Sequence, residues 1–401
     1  MNRSDAATPL KVEPRLKAIL EQEYPRFSDA EYARRHKALA EVMEKAGADH
    51  LLVVTDHRTG NATQWVTGWP GSVEALTIFE PGEQLLMHME WYNHFPLGQK
   101  IAKGVDTRWG EHQGMAKTIA ELKRRGAKRV GLIGPLGIAK YQQLAQSFDV
   151  ALLDKDYIRL RMVKSEEEID WLRIGAALSD AGFAALLEGT RVGLTERELA
   201  NIVERAWVAH GGTTMIHYIG RTSMDHPHVF VPPQQHSPRK VEKGDVVFCE
   251  LSAFWWDYAG QVLRTFTVDA EPTPLYRDLH AVAEATFDAV TGVMRHGTAM
   301  QEIVDASGII EARGYSVCDD LVHGFGGGYF QPIIGPKSRP AGPLPDMTLE
   351  ENMTLVVQPN IITPDRKAGV QVGEMIRITR TGFELLHRTP RGFFRAGTRL
   401  A

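Results

Sequence analysis

Glu250 stands in the run Val246-Val-Phe-Cys-Glu-Leu-Ser252, where alternation puts Val246, Phe248, Glu250 and Ser252 on one face of a strand. A carboxylate among apolar neighbours is costly to bury unless it is paired or functional. Burial raises its pKa, which suits a general acid or base; as a nucleophile it needs a nearby cation to stay ionised. A structural carboxylate held by a backbone N–H or by His323 is the other reading. Upstream, Asp225-His-Pro-His-Val229 offers His226 and His228, either of which can shuttle a proton near neutral pH. His323 opens the Gly-rich turn His323-Gly-Phe-Gly-Gly-Gly328. No Lys-Ser/Thr follows that turn, so it is not a phosphate loop; its glycines let backbone approach a ligand closely. His323 itself is placed to polarise a carbonyl or to hold Glu250. Arg264 falls on the opposite strand face from Gln261 and Leu263 and reads as structural.

The elements that must position these residues fall into two groups. Between Ser28 and about Val163 helix and strand alternate, beginning with a helix N-capped by Ser28 and closed by Gly47. The buried run 50–54 follows, then strands at 75–79 and 84–89 around the Pro81-Gly-Glu83 turn, a helix at 115–126 and a strand at 129–133. This predicts a small α/β domain. Ser165-Glu-Glu-Glu168 and Thr195-Glu-Arg-Glu198 are capping boxes that open helices to about 187 and 210. Beyond Gly244, 246–252 and 261–268 predict an antiparallel pair. Helices near 275–296 and 300–313 come next, and strands at 353–361 and 375–379 close the chain.

With 401 residues, two domains of ordinary size are expected. A hydrophobic fraction of 43%, a charged fraction of 24% and a net charge of −4 describe a globular protein without a basic stripe, which argues against nucleic acid as a partner. The two cysteines, Cys249 and Cys318, form no disulfide framework and no CxxC metal motif. The N-terminal run has no apolar core of a signal peptide, and no segment reaches the length of about 20 apolar residues needed to span a bilayer. A cytoplasmic protein with no membrane partner is expected.

The second half resembles the creatinase/aminopeptidase P (M24, pita-bread) superfamily. The likeness is carried by Arg161-Met-Val-Lys-Ser-Glu-Glu-Glu-Ile169, Lys243-Gly-Asp-Val-Val-Phe-Cys-Glu250, Tyr258 with Arg264-Thr-Phe266, His323-Gly-Phe-Gly326, and Asn352-Met-Thr-Leu-Val-Val-Gln-Pro359. Gly373-Glu-Met-Ile-Arg-Ile-Thr-Arg-Thr-Gly382 is similar to the family's last strand and turn. The likeness covers roughly 160–390, more weakly the region before it. It implies an α/β (α+β) protein with an N-terminal arm at 1–27, a small creatinase-like domain at 28–160, and a pita-bread catalytic domain with a curved antiparallel sheet at 161–401. It also implies a homodimer in which the small domain covers the partner's site.

Metal-dependent members of the family hold two ions with two Asp, one His and two Glu, which together activate a shared water. Those positions carry Glu250, Gln261, His323, Gln358 and Gly373 here, with Glu374 adjacent to the last. Neutral amides do not supply the charge that two adjacent dications require. The expectation is therefore an enzyme without a metal, one divalent ion on Glu250, His323 and Glu374 being the alternative. By likeness to creatinase and ectoine hydrolase, it would hydrolyse a C–N bond of a small cyclic amide or amidine. Glu250, His228, His323 and Glu374 are the catalytic candidates. His226, Gln261, Gln358, Trp69, Trp256 and Tyr258 are the substrate-binding candidates, the aromatics forming a box for a compact cation or small ring. A metal-dependent Xaa-Pro peptidase, a non-catalytic pita-bread binding protein and a lyase acting on an osmolyte are the competing readings.

Overall fold

The computed structural model describes residues 10–56 and 61–400. The expected arm at 1–27 therefore lies partly outside the described residues. The chain divides into two compact units, one of them Gln22–Arg161 and the other built on Met162–Ala401.

In the first unit the Ser28 side chain accepts from Glu31 N–H at 3.1 Å to start the helix Asp29–Ala46, and left-handed Gly47 ends it. Six strands follow: β1 (His50–Thr55), β2 (Ala75–Phe79), β3 (Leu86–Met89), β4 (Asp106–Trp109), β5 (Arg129–Ile133) and β6 (Asp149–Leu152). They form one mixed sheet in the order β4-β3-β2-β1-β5-β6. The central strand β1 is buried along its whole length, as its unbroken apolar run requires. Helices at Ala62–Thr67, Phe95–Ile101, Gly114–Arg124 (the helix expected at 115–126), Ile138–Ala145 and Asp154–Met162 complete the unit.

The second unit is built on β7 (Thr213–Ser223), β8 (Asp245–Trp255), β9 (Tyr258–Thr267), β10 (Ser316–Val317), β11 (Val322–Phe325), β12 (Tyr329–Ile334), β13 (Thr354–Val357), β14 (Ile361–Ile362), β15 (Gly373–Ile378), β16 (Phe383–Leu385) and β17 (Phe394–Arg395). A curved sheet runs β12-β11-β13-β15-β9-β8-β7, with β16 on β15 and β17 on β9; β10 pairs with β14 apart from it. The seven strands of that path pair antiparallel.

Both capping boxes form, at Ser165 and at Thr195, and start the helices Glu166–Gly189 and Glu196–Val208. The first of these lies against one face of β8 and β9, called here the outer face. Contact is close enough that a Cβ on Gly260 would come within 2.3 Å of Ala176 Cα, so only glycine lets the helix seat there. Ser179 Oγ locks the contact, donating to Gly260 O at 2.9 Å and accepting from Ala253 N at 2.9 Å. The expected helix at 300–313 is broken into Met300–Ala306 and Ile309–Ala312 by Ser307-Gly308. No helix of the described residues is long and apolar enough to cross a membrane.

Candidate active site

Pairing register decides which side chains share a face. Glu250 lies opposite Tyr218 on β7 and Leu263 on β9, and Ser252 lies opposite Gln261. Leu263 lies opposite Gly373 on β15, and Met375 opposite Val356 on β13, which in turn faces His323 on β11. Directly opposed residues project to the same side. Glu250, Ser252, Gln261, Gly373 and His323 therefore share the inner face, away from the helix Glu166–Gly189. Gln358, two residues past Val356, continues it.

Hydrogen bonding on this face is incomplete. Gln261 Nε2 donates to Glu250 Oε1, and Gln358 Nε2 donates to the carbonyl of Asp320 at 3.1 Å. Gln261 Oε1 and Ser252 Oγ are buried without a partner, and the Gln358 side chain lies beside the buried His323 ring and favours its charged form. His323 Nδ1 faces the carbonyl of Gly324 at 3.2 Å. That contact sets the proton on Nδ1 and leaves Nε2 as an acceptor. Burial lowers the His323 pKa, so the ring is neutral at physiological pH.

Glu250 keeps an opening to solvent, yet burial of its carboxyl, reinforced by Asp319 and Asp320, raises its pKa to about 8. Near neutral pH it is a protonated acid. Burial also raises Asp319, whose Oδ2 accepts from Asn360 Nδ2 at 3.0 Å. The pair Asp319-Asp320 is held between strands, because Leu321 N donates to Ile334 O at 2.7 Å and Gln358 N to Leu321 O at 2.9 Å. Tyr329 closes this side with its ring 4.7 Å from that of His323. Asp319, Asp320 and Tyr329 are site residues that sequence patterning misses. The available signal was an adjacent pair of acids ending three residues before His323.

The remaining candidates lie elsewhere. Glu374 pairs opposite Val262 and Val357, one residue out of phase with Gly373, and so projects from the outer face. There its Oε2 meets Arg264 Nη2 at 3.2 Å and its Oε1 lies 3.7 Å from Arg391 Nε. Tyr258 is also on the outer side, donating to Glu168 Oε1 at 2.8 Å. Trp256 occupies the two-residue turn between β8 and β9, with φ of 48° beside 71° at Asp257. His228 N donates to Thr222 Oγ1 at 3.0 Å. Thr222 lies four residues along β7 from Tyr218, about 13 Å at strand rise. His226 is exposed on the same loop. Trp69 is buried within the other unit.

The donor set does not fit a pair of divalent ions. Two of the five expected ligand positions carry amides and a third carries no side chain. Glu374 is turned to the other face and already engaged by Arg264. Among the described residues no group of three or more His, Cys, Asp or Glu is arranged to hold a metal ion. The single-ion set Glu250, His323 and Glu374 is split between the two faces.

Comparison with known proteins places the chain among peptidases. The chain is 26% identical to the Xaa-Pro dipeptidase of Pyrococcus furiosus over 276 residues, 67% of this chain and 76% of that protein. It is 27% identical over 261 residues to an uncharacterized peptidase of Staphylococcus haemolyticus, 63% of this chain and 70% of that protein. Among solved structures, the Xaa-Pro dipeptidase of Bacillus anthracis superposes with a TM-score of 0.78 at 19% identity, covering 91% of this chain and 99% of that one. The prolidase of Pyrococcus horikoshii gives 0.76 at 20% identity, covering 90% and 99%. These matches carry the peptidase branch of the resemblance, not creatinase or ectoine hydrolase. They overturn the expectation of metal-independent hydrolysis of a cyclic amide or amidine. The expectation of no cofactor falls with it, since the matching family is one of metallopeptidases. The expectation rests on neutral amides at ligand positions, whereas 67% of the chain aligns with an Xaa-Pro dipeptidase. Residues 170–380, more than half of the sequence, match the model of metallopeptidase family M24, and the chain belongs to that family.

Proposed function

We propose that this chain is a peptidase that hydrolyses the bond before proline in short Xaa-Pro peptides. The observation that carries the reading is that Glu250 and His323 share the inner face of the sheet, in a chain whose relatives include Xaa-Pro dipeptidases. The two groups are complementary at neutral pH. His323 Nε2 is an acceptor and takes a proton from water as its oxygen attacks the peptide carbonyl. Glu250, protonated because its pKa lies at about 8, gives its proton to the proline nitrogen as the C–N bond breaks. His323 then releases its proton to water and Glu250 takes one up from water, and both groups return to their starting states. Gln261 orients the Glu250 carboxyl through its amide N–H.

Proline release from Ala-Pro and Gly-Pro, with Ala-Ala as control, tests the reading. The assay is run on the protein as purified, after chelation, and with added Mn²⁺, Co²⁺ or Zn²⁺. Proline is expected from the Xaa-Pro peptides and no cleavage of Ala-Ala. Absence of cleavage under all of these conditions would refute the proposal.

A further inference from the structure

The first unit displays a cluster of rings at the edge of its own sheet. Strands β3 and β4 run parallel with Met89 opposite Trp109, so the segments leaving their carboxyl ends lie side by side. Gly110 N donates to Met89 O at 2.7 Å and Trp109 Nε1 to Glu90 O at 3.2 Å, which ties the two segments together. One segment supplies Trp91 and Tyr92, the other His112. Edge-to-face contacts join them: Trp91 to His112 at 5.1 Å, His112 to Trp109 at 6.4 Å and Trp109 to Tyr92 at 5.1 Å. His112 is brought there by two successive left-handed residues, Glu111 with φ of 53° and His112 with φ of 57°, a conformation uncommon outside glycine. Large rings are ordinarily well buried, yet Trp91 is 47% and Tyr92 61% exposed. Trp109 uses its indole N–H, whereas among the described residues Trp91 Nε1 and Tyr92 Oη make no hydrogen bond. Glu90, half-buried beside them, enters no ion pair among those residues. Its acidic neighbours differ, Asp106 being paired with Arg108 and Glu111 with Lys117.

The patch thus offers apolar ring faces, an N–H and an O–H donor, and one uncompensated carboxylate. Its complement is a ligand with apolar rings, carbonyl acceptors, few N–H donors and a positive charge. A proline-rich segment in the polyproline II form has this character. Its prolines carry no N–H, its carbonyls have no partner within the segment, and it is ordered before it binds. We propose that Trp91, Tyr92 and Glu90 form a docking surface for an extended proline-rich peptide bearing a Lys or Arg. Proline rings lie on the two aromatic faces, peptide carbonyls accept from Trp91 Nε1 and Tyr92 Oη, and Glu90 receives the cation. His112, set edge-on against Trp91, holds that ring in place before the ligand arrives. The proposal does not depend on what Glu250 and His323 cleave.

The probe is the peptide Ac-Arg-Pro-Pro-Pro-Pro-Pro-Pro-NH2, capped at both ends and titrated into the full chain by calorimetry. Its controls are the same peptide with Gln in place of Arg, and Ac-Arg-Gly-Ser-Gly-Ser-Gly-Ser-NH2. The Arg-proline peptide should bind with a Kd below about 1 mM, the Gln peptide about 3- to 10-fold more weakly, and the Gly-Ser peptide not measurably. In Trp91→Ala and in Tyr92→Ala the Kd should rise at least about 10-fold. Glu90→Gln should bring the Arg-proline peptide to the level of the Gln peptide and leave the latter unchanged. Thermal melting controls for folding; if Trp91→Ala does not fold, Tyr92→Ala and Glu90→Gln decide. No binding to wild type, equal binding of the Gly-Ser peptide, or unchanged Kd in the folded variants overturns the proposal. Sedimentation that shows a wild-type dimer split by Trp91→Ala or Tyr92→Ala overturns it too, because a second copy would then cover the patch.

Discussion

The two faces of the curved sheet treat charge in opposite ways. On the outer face, Arg264 is buried and fully engaged, donating to Leu263 O, Gly373 O, Thr389 O and Pro390 O as well as to Glu374. Arg391 extends the network from Glu374 to Glu284, 3.0 Å away, and lies over the Phe287 ring at 4.1 Å. On the inner face of the same strands, among the described residues, Glu250, Asp319 and Asp320 have no ion-pair partner, and the amides of Gln261 and Gln358 are bonded through their nitrogens. Polar groups engaged by their own chain belong to the architecture. The outer face also has atoms without a hydrogen bond, Glu374 Oε1 and Arg391 Nη1 among them, so the contrast between the faces lies in their cations.

The largest expected effect is on the outer face. Arg264→Leu strands Glu374 and four carbonyls, and should lower unfolding stability by about 3–5 kcal/mol. Urea denaturation measures it, and a loss under about 1 kcal/mol would erase the contrast. On the inner face Glu250→Gln should act through pH. The folded carboxyl titrates at about 8, well above the usual carboxylate value near 4.3. Its contribution to stability is therefore full in acid and is lost as pH rises through about 8. Wild type should lose up to a few kcal/mol between about pH 5 and 9 from this group, discounted for its opening to solvent. The variant should lack that slope, and identical pH–stability curves for the two proteins would refute the assignment. The smallest effect belongs to Ser252→Ala. The Ser252 hydroxyl is buried without a partner, so its removal should cost under about 0.5 kcal/mol or even stabilise. A loss as large as that from Arg264→Leu would mean that the inner face is as much a structural network as the outer one.

Local signals read well from the sequence because they are completed within a few residues. Ser165 and Thr195 start their helices as expected, and the hairpin carrying Glu250 and Gln261 follows from alternation and a short turn. The strand Thr213–Ser223 escapes sequence patterning, since its mixture of Thr, His, Tyr, Gly and Arg has no apolar period; it forms by pairing with β8 along its length. The site shows the same division. Alternation places Glu250 opposite in sense to Arg264 within one hairpin. Which of Gly373 and Glu374 joins Glu250 depends on the register between β15 and β9, a tertiary fact. Asp319 and Asp320 sit outside any strand, where no periodicity announces an inward side chain.

Gly373 gives the site a memory. Gln261 and Gln358 already project into it, and either could regain a carboxylate by exchange at the tip of a side chain. At Gly373 the first carbon of any side chain would fall 2.3 Å from Val357 O and 2.8 Å from Gln358 Cα. Two of the three positions could thus take a carboxylate one residue at a time. The third could not, because the backbone of Val357 and Gln358 fills the space, and a side chain there requires β13 and β15 to part.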